Sequence, residues 1–206
     1  MNKYITELIG TFFLVLVIGL TGNPFAIGAM LMCMIYMGGN VSGAHYNPAV
    51  TLAVMMRGAI NRSTGVRYML FQFIGGFLGA LLVFLSYRVP MVAPQPDVHV
   101  NVLKPLLYEF LFTFALALVV LNVATTKKAA GNSYYGLAIG FTVAAGATAS
   151  SHMSGGAFNP AVALGAMIMD LFEGGSSISH LWIYLVGCFG GAALAARTFK
   201  FMNPDE

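Results

Sequence analysis

One nine-residue pattern occurs twice in this chain: SGAHYNPAV begins at Ser42, and SGGAFNPAV begins at Ser154. In both copies Asn precedes Pro, at 47–50 and at 159–162, and a short apolar segment follows. Asn is a favoured helix N-cap, and Pro at the first helical position gives up an amide that has no partner there. The chain therefore contains two short helices that begin with the same cap.

Neither short helix is long enough to cross a bilayer, because a membrane-spanning helix needs roughly 20 residues. The composition nevertheless indicates a membrane protein: the 206 residues are 58% hydrophobic and 8% charged, with a mean hydropathy of +0.80. A soluble domain carries about 25% charged residues. Short apolar segments at matching positions of two halves are typical of a membrane transport site.

Six longer apolar stretches predict spanning helices, and the two short helices follow the second and the fifth. These stretches cover roughly 4–20, 24–41, 68–87, 105–124, 133–150 and 180–197. The first begins with one Lys, as a signal peptide would, but no A-x-A-like cleavage site follows it. We therefore interpret it as a spanning helix.

Lys and Arg are distributed unevenly between the two sides of the predicted bundle. With the N-terminus in the cytoplasm, the outer segments hold Arg88 and Lys104. The inner segments hold Lys3, Arg57, Arg62, Arg67, Lys127, Lys128, Arg197 and Lys200. This positive-inside bias predicts that both termini are cytoplasmic, and it explains the net charge of +3 without nucleic-acid binding. The Pro-rich stretch 88–105 is then the longest outer loop, and we expect a surface crossover there rather than a site.

The two halves are predicted to form an inverted repeat. A shift of 112 residues places Asn47 on Asn159, and a shift of 102 places Glu7 on Glu109. Because each half has three spans, the second half must insert with the opposite orientation. The short helices then enter from opposite sides, and their capped starts meet near the midplane. Residues 1–206 are one channel domain on this interpretation, with halves at about 1–90 and 103–206.

Two G-x-x-x-G pairs also fall at the 112-residue spacing. Gly75 and Gly79 lie in the third span, and Gly187 and Gly191 lie in the sixth. Such pairs let helix backbones approach closely where lipid supplies no hydrophobic driving force. We therefore predict close helix packing at both pairs.

The segments that precede the two caps, 43–46 and 155–158, must line protein or water, because unpaired backbone groups are costly in lipid. The small candidates for this lining are Gly43, Ala44, Gly155 and Ala157. Amides of its own helix occupy each Asn oxygen, which leaves the side-chain NH₂ as a donor at the junction. Two helix N-termini add about half a positive charge each. The junction is therefore predicted to attract oxygen lone pairs and to repel cations.

The doubled NPA box, the Glu in the first and fourth spans, and the six spans with two half-helices resemble the aquaporin and glycerol-facilitator family, the major intrinsic proteins. The resemblance covers nearly the whole chain. It implies an all-α membrane fold of six transmembrane helices and two re-entrant half-helices. It also implies a homotetramer in the lipid bilayer, with one pore per subunit, passive flow and no cofactor.

The resemblance also implies roles for individual residues. Glu7 and Glu109 would brace the loop backbones from behind, and His45 would lie in the pore near its cytoplasmic end. The paired pore motif would consist of Asn47, Pro48, Ala49, Asn159, Pro160 and Ala161.

The second box departs from the family pattern. It usually reads NPAR, and the Arg forms the outer constriction, but here Val162 stands at that position. The family pattern, counted without gaps, places the other constriction positions at Gly156, Ala147 and Ile27. Water-selective members are expected to carry Arg with His or another bulky residue, and glycerol-selective members to carry Arg with aromatic residues. Similarity to plant vacuolar members with NPAV favours water with ammonia, urea, glycerol or hydrogen peroxide.

Other functions stay open at this point. The chain could be mainly a glycerol, urea or ammonia facilitator, or a non-conducting structural member of the fold. An enzyme is not predicted, because H-E-x-x-H, G-x-S-x-G and a carboxylate pair near a His are absent from the spans. Coupled transport needs titratable groups at the midplane, and the two span carboxylates are better explained as braces. Cys33 and Cys188 lie in apolar runs, so neither a disulfide nor a metal site is predicted.

Overall fold

The computed structural model describes residues 1–95 and 101–206, and all regular structure in these ranges is helical. The α-helices are α1 (Asn2–Thr21), α2 (Pro24–Ser42), α3 (Pro48–Arg57), α4 (Arg62–Tyr87), α5 (Leu103–Thr125), α6 (Tyr135–Ser154), α7 (Pro160–Phe172) and α8 (Leu181–Met202). Two short 3₁₀ turns cover Lys127–Ala129 and Ser177–His180. The predicted order of six long and two short helices is therefore confirmed.

Five helices of the described chain have the length and hydropathy of a membrane span: α1, α2, α4, α5 and α8 with the turn before it. Helix α6 is not among them, although 133–150 was predicted to be a span. Its sequence is rich in Gly, Ala, Ser and Thr, which lowers its hydropathy. It has 20 residues, as α1 does, and packs against α2 and α5, so it fills a sixth long position in the bundle.

Contacts between helix ends identify two faces of the bundle. On the terminal face α1 begins and α8 ends; here Lys3 Nζ lies 3.4 Å from Thr64 Oγ1, beside the start of α4. On the crossover face the chain passes from α4 to α5. The loop before α3 begins at the terminal face, whereas the loop before α7 begins at the crossover face, where Gly155 packs against Pro94. The two short helices thus enter from opposite faces, as the inverted repeat predicts.

A polar cluster around Arg57 joins three helix ends at the terminal face. Arg57 donates to the hydroxyl and the carbonyl oxygen of Thr125, both at 2.7 Å, and to the carboxylate of Glu206 at 3.3 Å. The backbone amide of Lys127 donates to Glu206 at 3.0 Å, and this hydrogen bond lowers the pKa of the carboxyl below its ordinary value. The cluster therefore ties the end of α3 to the chain that follows α5 and α8.

Glycines let α4 pack on α1, and α8 on α5, backbone against backbone. A Cβ atom added to Gly75 would overlap the carbonyl oxygen of Leu8, and one added to Gly191 would overlap that of Phe110. Neither helix could approach its partner as closely with a larger residue there. The predicted role of these glycines in helix packing is confirmed.

The residues of α8 that correspond to those of α4 in the repeat differ from the predicted ones. Tyr68 donates its hydroxyl to the carbonyl oxygen of Ser42, and Tyr184 donates its hydroxyl to that of Ser154. The two tyrosines are 116 residues apart in the chain, and so are Gly75 and Gly191, which meet equivalent carbonyls. The predicted 112-residue pairing of the glycines is therefore wrong by one helical turn, although it holds for the two NPA boxes.

Replacing Gly191 with Ala is expected to lower the free energy of unfolding by about 1–3 kcal/mol, because the added Cβ would overlap a backbone atom that cannot rotate away. Thermal unfolding of the purified protein in detergent measures the loss. Gly190→Ala is the matched control, since its Cβ would lie 3.2 Å from a ring atom of Phe110, which can move. Equal stability of the two variants would contradict this role for Gly191.

Part of the connection between α4 and α5 lies inside the protein rather than on its surface. We call residues 91–95 the crossover segment. Met91 and Ala93 are 4% and 7% exposed, and Pro94 is also buried. The predicted surface crossover is wrong for these residues, because glycines of α1 and of the second re-entrant loop leave room for them. Pro96, in the same predicted loop, lies outside the described residues.

Candidate functional site

The two short helices are capped as the sequence predicts. Asn47 Oδ1 accepts a hydrogen bond from the amide of Ala49 at 2.8 Å, and Asn159 Oδ1 accepts one from the amide of Ala161 at 3.0 Å. A Pro follows each Asn at the first helical position. Each Asn oxygen is thus occupied by its own helix, and only the NH₂ group can act outward.

The two capped starts touch, and each Asn binds the opposite loop. Asn47 Nδ2 donates to the carbonyl oxygen of Phe158 at 2.8 Å, and Asn159 Nδ2 donates to that of Tyr46 at 2.9 Å. From the sequence we expected the whole NH₂ group to point at the occupant of the junction. Because an amide NH₂ has two N–H bonds, the structure leaves one on each Asn for such an occupant.

A buried carboxyl group holds the backbone of each re-entrant loop. Glu7 Oε1 accepts from the amide of His45 at 3.0 Å, and Glu7 Oε2 accepts from the amide of Tyr46 at 2.7 Å. Glu109 accepts from the two equivalent amides of the second loop, at 3.0 and 2.7 Å. Both carboxyl groups are fully buried. Their contacts are those of the loop braces that the family resemblance implies.

These loops need support because they contain left-handed backbone at residues other than glycine. The φ angles of Ala44 and Tyr46 are 51° and 50°, and that of Phe158 is 47°. Each such residue costs of order 1–3 kcal/mol and persists only where its surroundings hold it. The carboxyl hydrogen bonds to the neighbouring amides provide that restraint in both loops.

The first brace has a polar partner that sequence reasoning missed. Gln72 Nε2 donates to Glu7 at 2.7 Å and to the hydroxyl of Thr51 at 2.9 Å. In the second half Cys188 Sγ takes the equivalent place, 3.6 Å from Glu109. A lone Gln within an apolar span is costly unless it finds a polar partner, so its presence is a signal that the sequence offers. Its spacing alone, however, does not connect it with Glu7.

A cavity of about 600 Å³ extends from the crossover face past the junction of the short helices. Its wall contains both Asn side chains and all four predicted constriction residues, Ile27, Ala147, Gly156 and Val162. Four predicted lining residues also belong to the wall: Ala44, His45, Gly155 and Ala157. Gly43 does not line the cavity; it caps α2 with a φ of 89°.

The cavity wall is mainly apolar, and in the described part of the chain it contains no Lys, Arg, Asp or Glu. Apart from Tyr46, whose hydroxyl donates to the carbonyl oxygen of Met34, its hydrogen-bonding side chains form two groups. The first lies at the junction and comprises His45, Asn47 and Asn159. The second lies toward the crossover face and comprises Thr21, Gln95 and Ser151. A solute in this cavity therefore meets neutral groups throughout.

Comparison with known proteins decides the family. The family model described as "Major intrinsic protein" matches residues 18–199. The chain belongs to the major intrinsic protein family. This major intrinsic protein is 33% identical, over the full length of both chains, to Glycerol uptake facilitator protein-like 6 of Lactiplantibacillus plantarum. It is also 34% identical to the Probable aquaporin AqpM of Archaeoglobus fulgidus, over 91% of this chain and 80% of that one.

A solved structure supports the fold of this major intrinsic protein. The X-ray structure of the aquaglyceroporin from Plasmodium falciparum matches with a TM-score of 0.84 at 20% sequence identity, over 98% of this chain and 97% of that one. At this identity the likeness concerns the fold alone. The predicted aquaporin-like, all-α fold and the family resemblance are thus confirmed, and the protein is a multi-pass integral membrane protein.

Proposed function

We propose that this major intrinsic protein is a passive channel for water and small neutral solutes, and that the cavity is its conducting path. The observation that carries the proposal is the junction: Asn47 and Asn159 meet in the wall of a charge-free cavity, each with one N–H available. Oxygen lone pairs of water or an alcohol fit these donors. Glycerol, urea, ammonia and hydrogen peroxide are the proposed solutes besides water.

The four constriction positions explain why solutes larger than water are included. Ile27, Ala147, Gly156 and Val162 supply no guanidinium and no aromatic ring. Val162 is 3% exposed and stands where the family pattern has Arg. A small apolar residue in place of a long cation leaves a wider passage. The relatives named above, one a glycerol uptake facilitator and one a probable aquaporin, are consistent with both kinds of solute.

In the proposed orientation the terminal face is cytoplasmic. The basic side chains at this face, among them Lys3, Arg57 and Lys127, agree with the positive-inside rule. Assembly as a homotetramer with one pore per subunit is proposed from the family resemblance.

Stopped-flow light scattering of vesicles that contain the purified protein tests the function. We expect water, glycerol and urea to cross faster than in protein-free vesicles. Ala147→Trp provides a blocked control, because Ala147 lies in the cavity wall within helix α6 and an indole there takes up space at the constriction. Solute flux without added water flux would favour the facilitator alternative. Absence of both fluxes would favour a non-conducting structural member of the fold.

Cation exclusion is expected to be weaker in this channel than in members with the constriction Arg. A unit positive charge about 4 Å from a permeating cation raises the barrier to its passage by roughly 4 kcal/mol at an effective dielectric near 20. Val162 carries no such charge. The helix N-termini, with about half a positive charge each, then provide the main barrier. We expect a proton leak, measured with a pH-sensitive dye inside vesicles. Tight proton exclusion would instead mean that desolvation in the apolar wall is sufficient.

A further inference from the structure

The cavity wall near the crossover face includes a segment that belongs to neither NPA loop. All five residues of the crossover segment, 91–95, line the cavity. If Gly155 carried a Cβ, this atom would lie 2.6 Å from Pro94 Cα and 3.3 Å from the backbone nitrogen of Gln95. The segment is therefore in direct contact with the residue that precedes the constriction position Gly156.

Contact with α1 fixes the other end of the segment. A Cβ added to Gly19 would lie 3.2 Å from Met91 Cβ, and the Met91 side chain is 4% exposed. The segment is thus packed between the first helix and the second re-entrant loop. The buried residues Met91 and Pro94 set its position relative to the constriction, and Gln95, which follows Pro94, is exposed.

Gln95 gives this part of the wall a hydrogen-bonding group that the constriction lacks. None of Ile27, Ala147, Gly156 and Val162 has a polar side chain. The side-chain amide of Gln95 offers two donors and one acceptor, and it carries no charge. Its backbone nitrogen is held beside Gly155, so the side chain begins next to the constriction.

We propose that the crossover segment forms one wall of the outer constriction, and that the Gln95 amide is a specificity-determining group for polar solutes. The inference rests on the proposed function and deepens it. A glycerol or urea molecule loses hydrogen bonds with water when it enters an apolar passage, which opposes entry. The Gln95 amide replaces such a bond for either a hydroxyl or a carbonyl group. Unlike a guanidinium, it does so without repelling cations.

Two tryptophan variants test whether the crossover segment forms a wall of the constriction. Gln95→Trp is expected to lower glycerol and urea permeability by about tenfold, the effect of a misfit in a shaped pocket, with a smaller loss for water. Val89→Trp is the matched control, because Val89 belongs to the same connection, is 58% exposed and does not line the cavity. Solute permeabilities that agree between the two variants would overturn the assignment of this wall.

A second variant tests the amide itself. Gln95→Met keeps the length and approximate volume of the side chain but removes its hydrogen bonds. We expect urea and glycerol permeability to fall about fivefold relative to water, the effect of one neutral hydrogen bond. An unchanged ratio of solute to water permeability would overturn the specificity role of Gln95.

The unmodified protein separates failure of this inference from failure of the proposed function. If its vesicles pass neither water nor solute, the channel function itself is wrong. If they pass both, and the Gln95 variants have the permeabilities of Val89→Trp, only the inference about the crossover segment is wrong.

Discussion

Vesicles that contain the Val162→Arg variant are expected to pass glycerol and urea about tenfold more slowly than the unmodified protein, with a smaller change for water. Val162 lies in the cavity wall and is 3% exposed, so a longer side chain has the cavity as its free space. The other constriction positions hold Ile, Ala and Gly, which are too small to occupy the same space. The added guanidinium therefore both narrows the passage and supplies the missing charge.

Two further variants separate these effects. Val162→Leu enlarges the side chain without a charge, and we expect it to reduce solute permeability less than Val162→Arg does. Val89→Arg places the same charge on the crossover face but outside the cavity wall, and it should leave all permeabilities unchanged. If Val162→Arg leaves glycerol and urea permeability unaltered, the constriction has been placed at the wrong residues.

Replacing Glu109 with Gln is expected to release the second re-entrant loop. Oε1 accepts from the amide of Ala157 and Oε2 accepts from the amide of Phe158. Either orientation of a Gln side chain would turn its NH₂ group toward one of these N–H groups. The substitution would therefore leave one buried backbone N–H without an acceptor and place the Gln NH₂ group against it. The shape of the side chain barely changes.

The size of this effect follows from the burial of the brace. A buried donor that loses its partner costs about 1–3 kcal/mol, so the substitution shifts the population of the ordered loop by about fivefold to more than a hundredfold. We expect a matching fall in water permeability per protein and a lower temperature of unfolding in detergent. Glu173→Gln is the control, because Glu173 is exposed where α7 ends. Unmodified permeability and stability in Glu109→Gln would contradict the brace.

The features predicted from sequence are those that local chemistry determines. Asn followed by Pro favours a helix start where an apolar segment comes next, as at Asn47 and Asn159, so both short helices and their caps were predictable. Apolar length likewise predicted the long helices. Helix α6 was predicted as well, although its small residues suit packing inside a bundle and give a weaker hydropathy signal.

Features that depend on contacts between distant segments were not predictable from one sequence. Glycine spacing alone fits two alignments of α4 with α8 that differ by one helical turn. The contact of Gly191 with Phe110, which is equivalent to that of Gly75 with Leu8, selects between them. The burial of Met91 and Pro94 depends on room left by glycines elsewhere in the chain. The bond from Gln72 to Glu7 joins residues 65 positions apart, beyond the reach of any periodic pattern.

The exchange of hydrogen bonds between Asn47 and Phe158, and between Asn159 and Tyr46, has a mechanical consequence. The start of each short helix is held by the other, so a displacement of either helix would break a hydrogen bond between its Asn and the opposite loop. The midpoint of the path thus behaves as a rigid frame of fixed width. Any opening and closing of the proposed path therefore belongs away from this midpoint, for example toward the crossover face, where Gln95 lies.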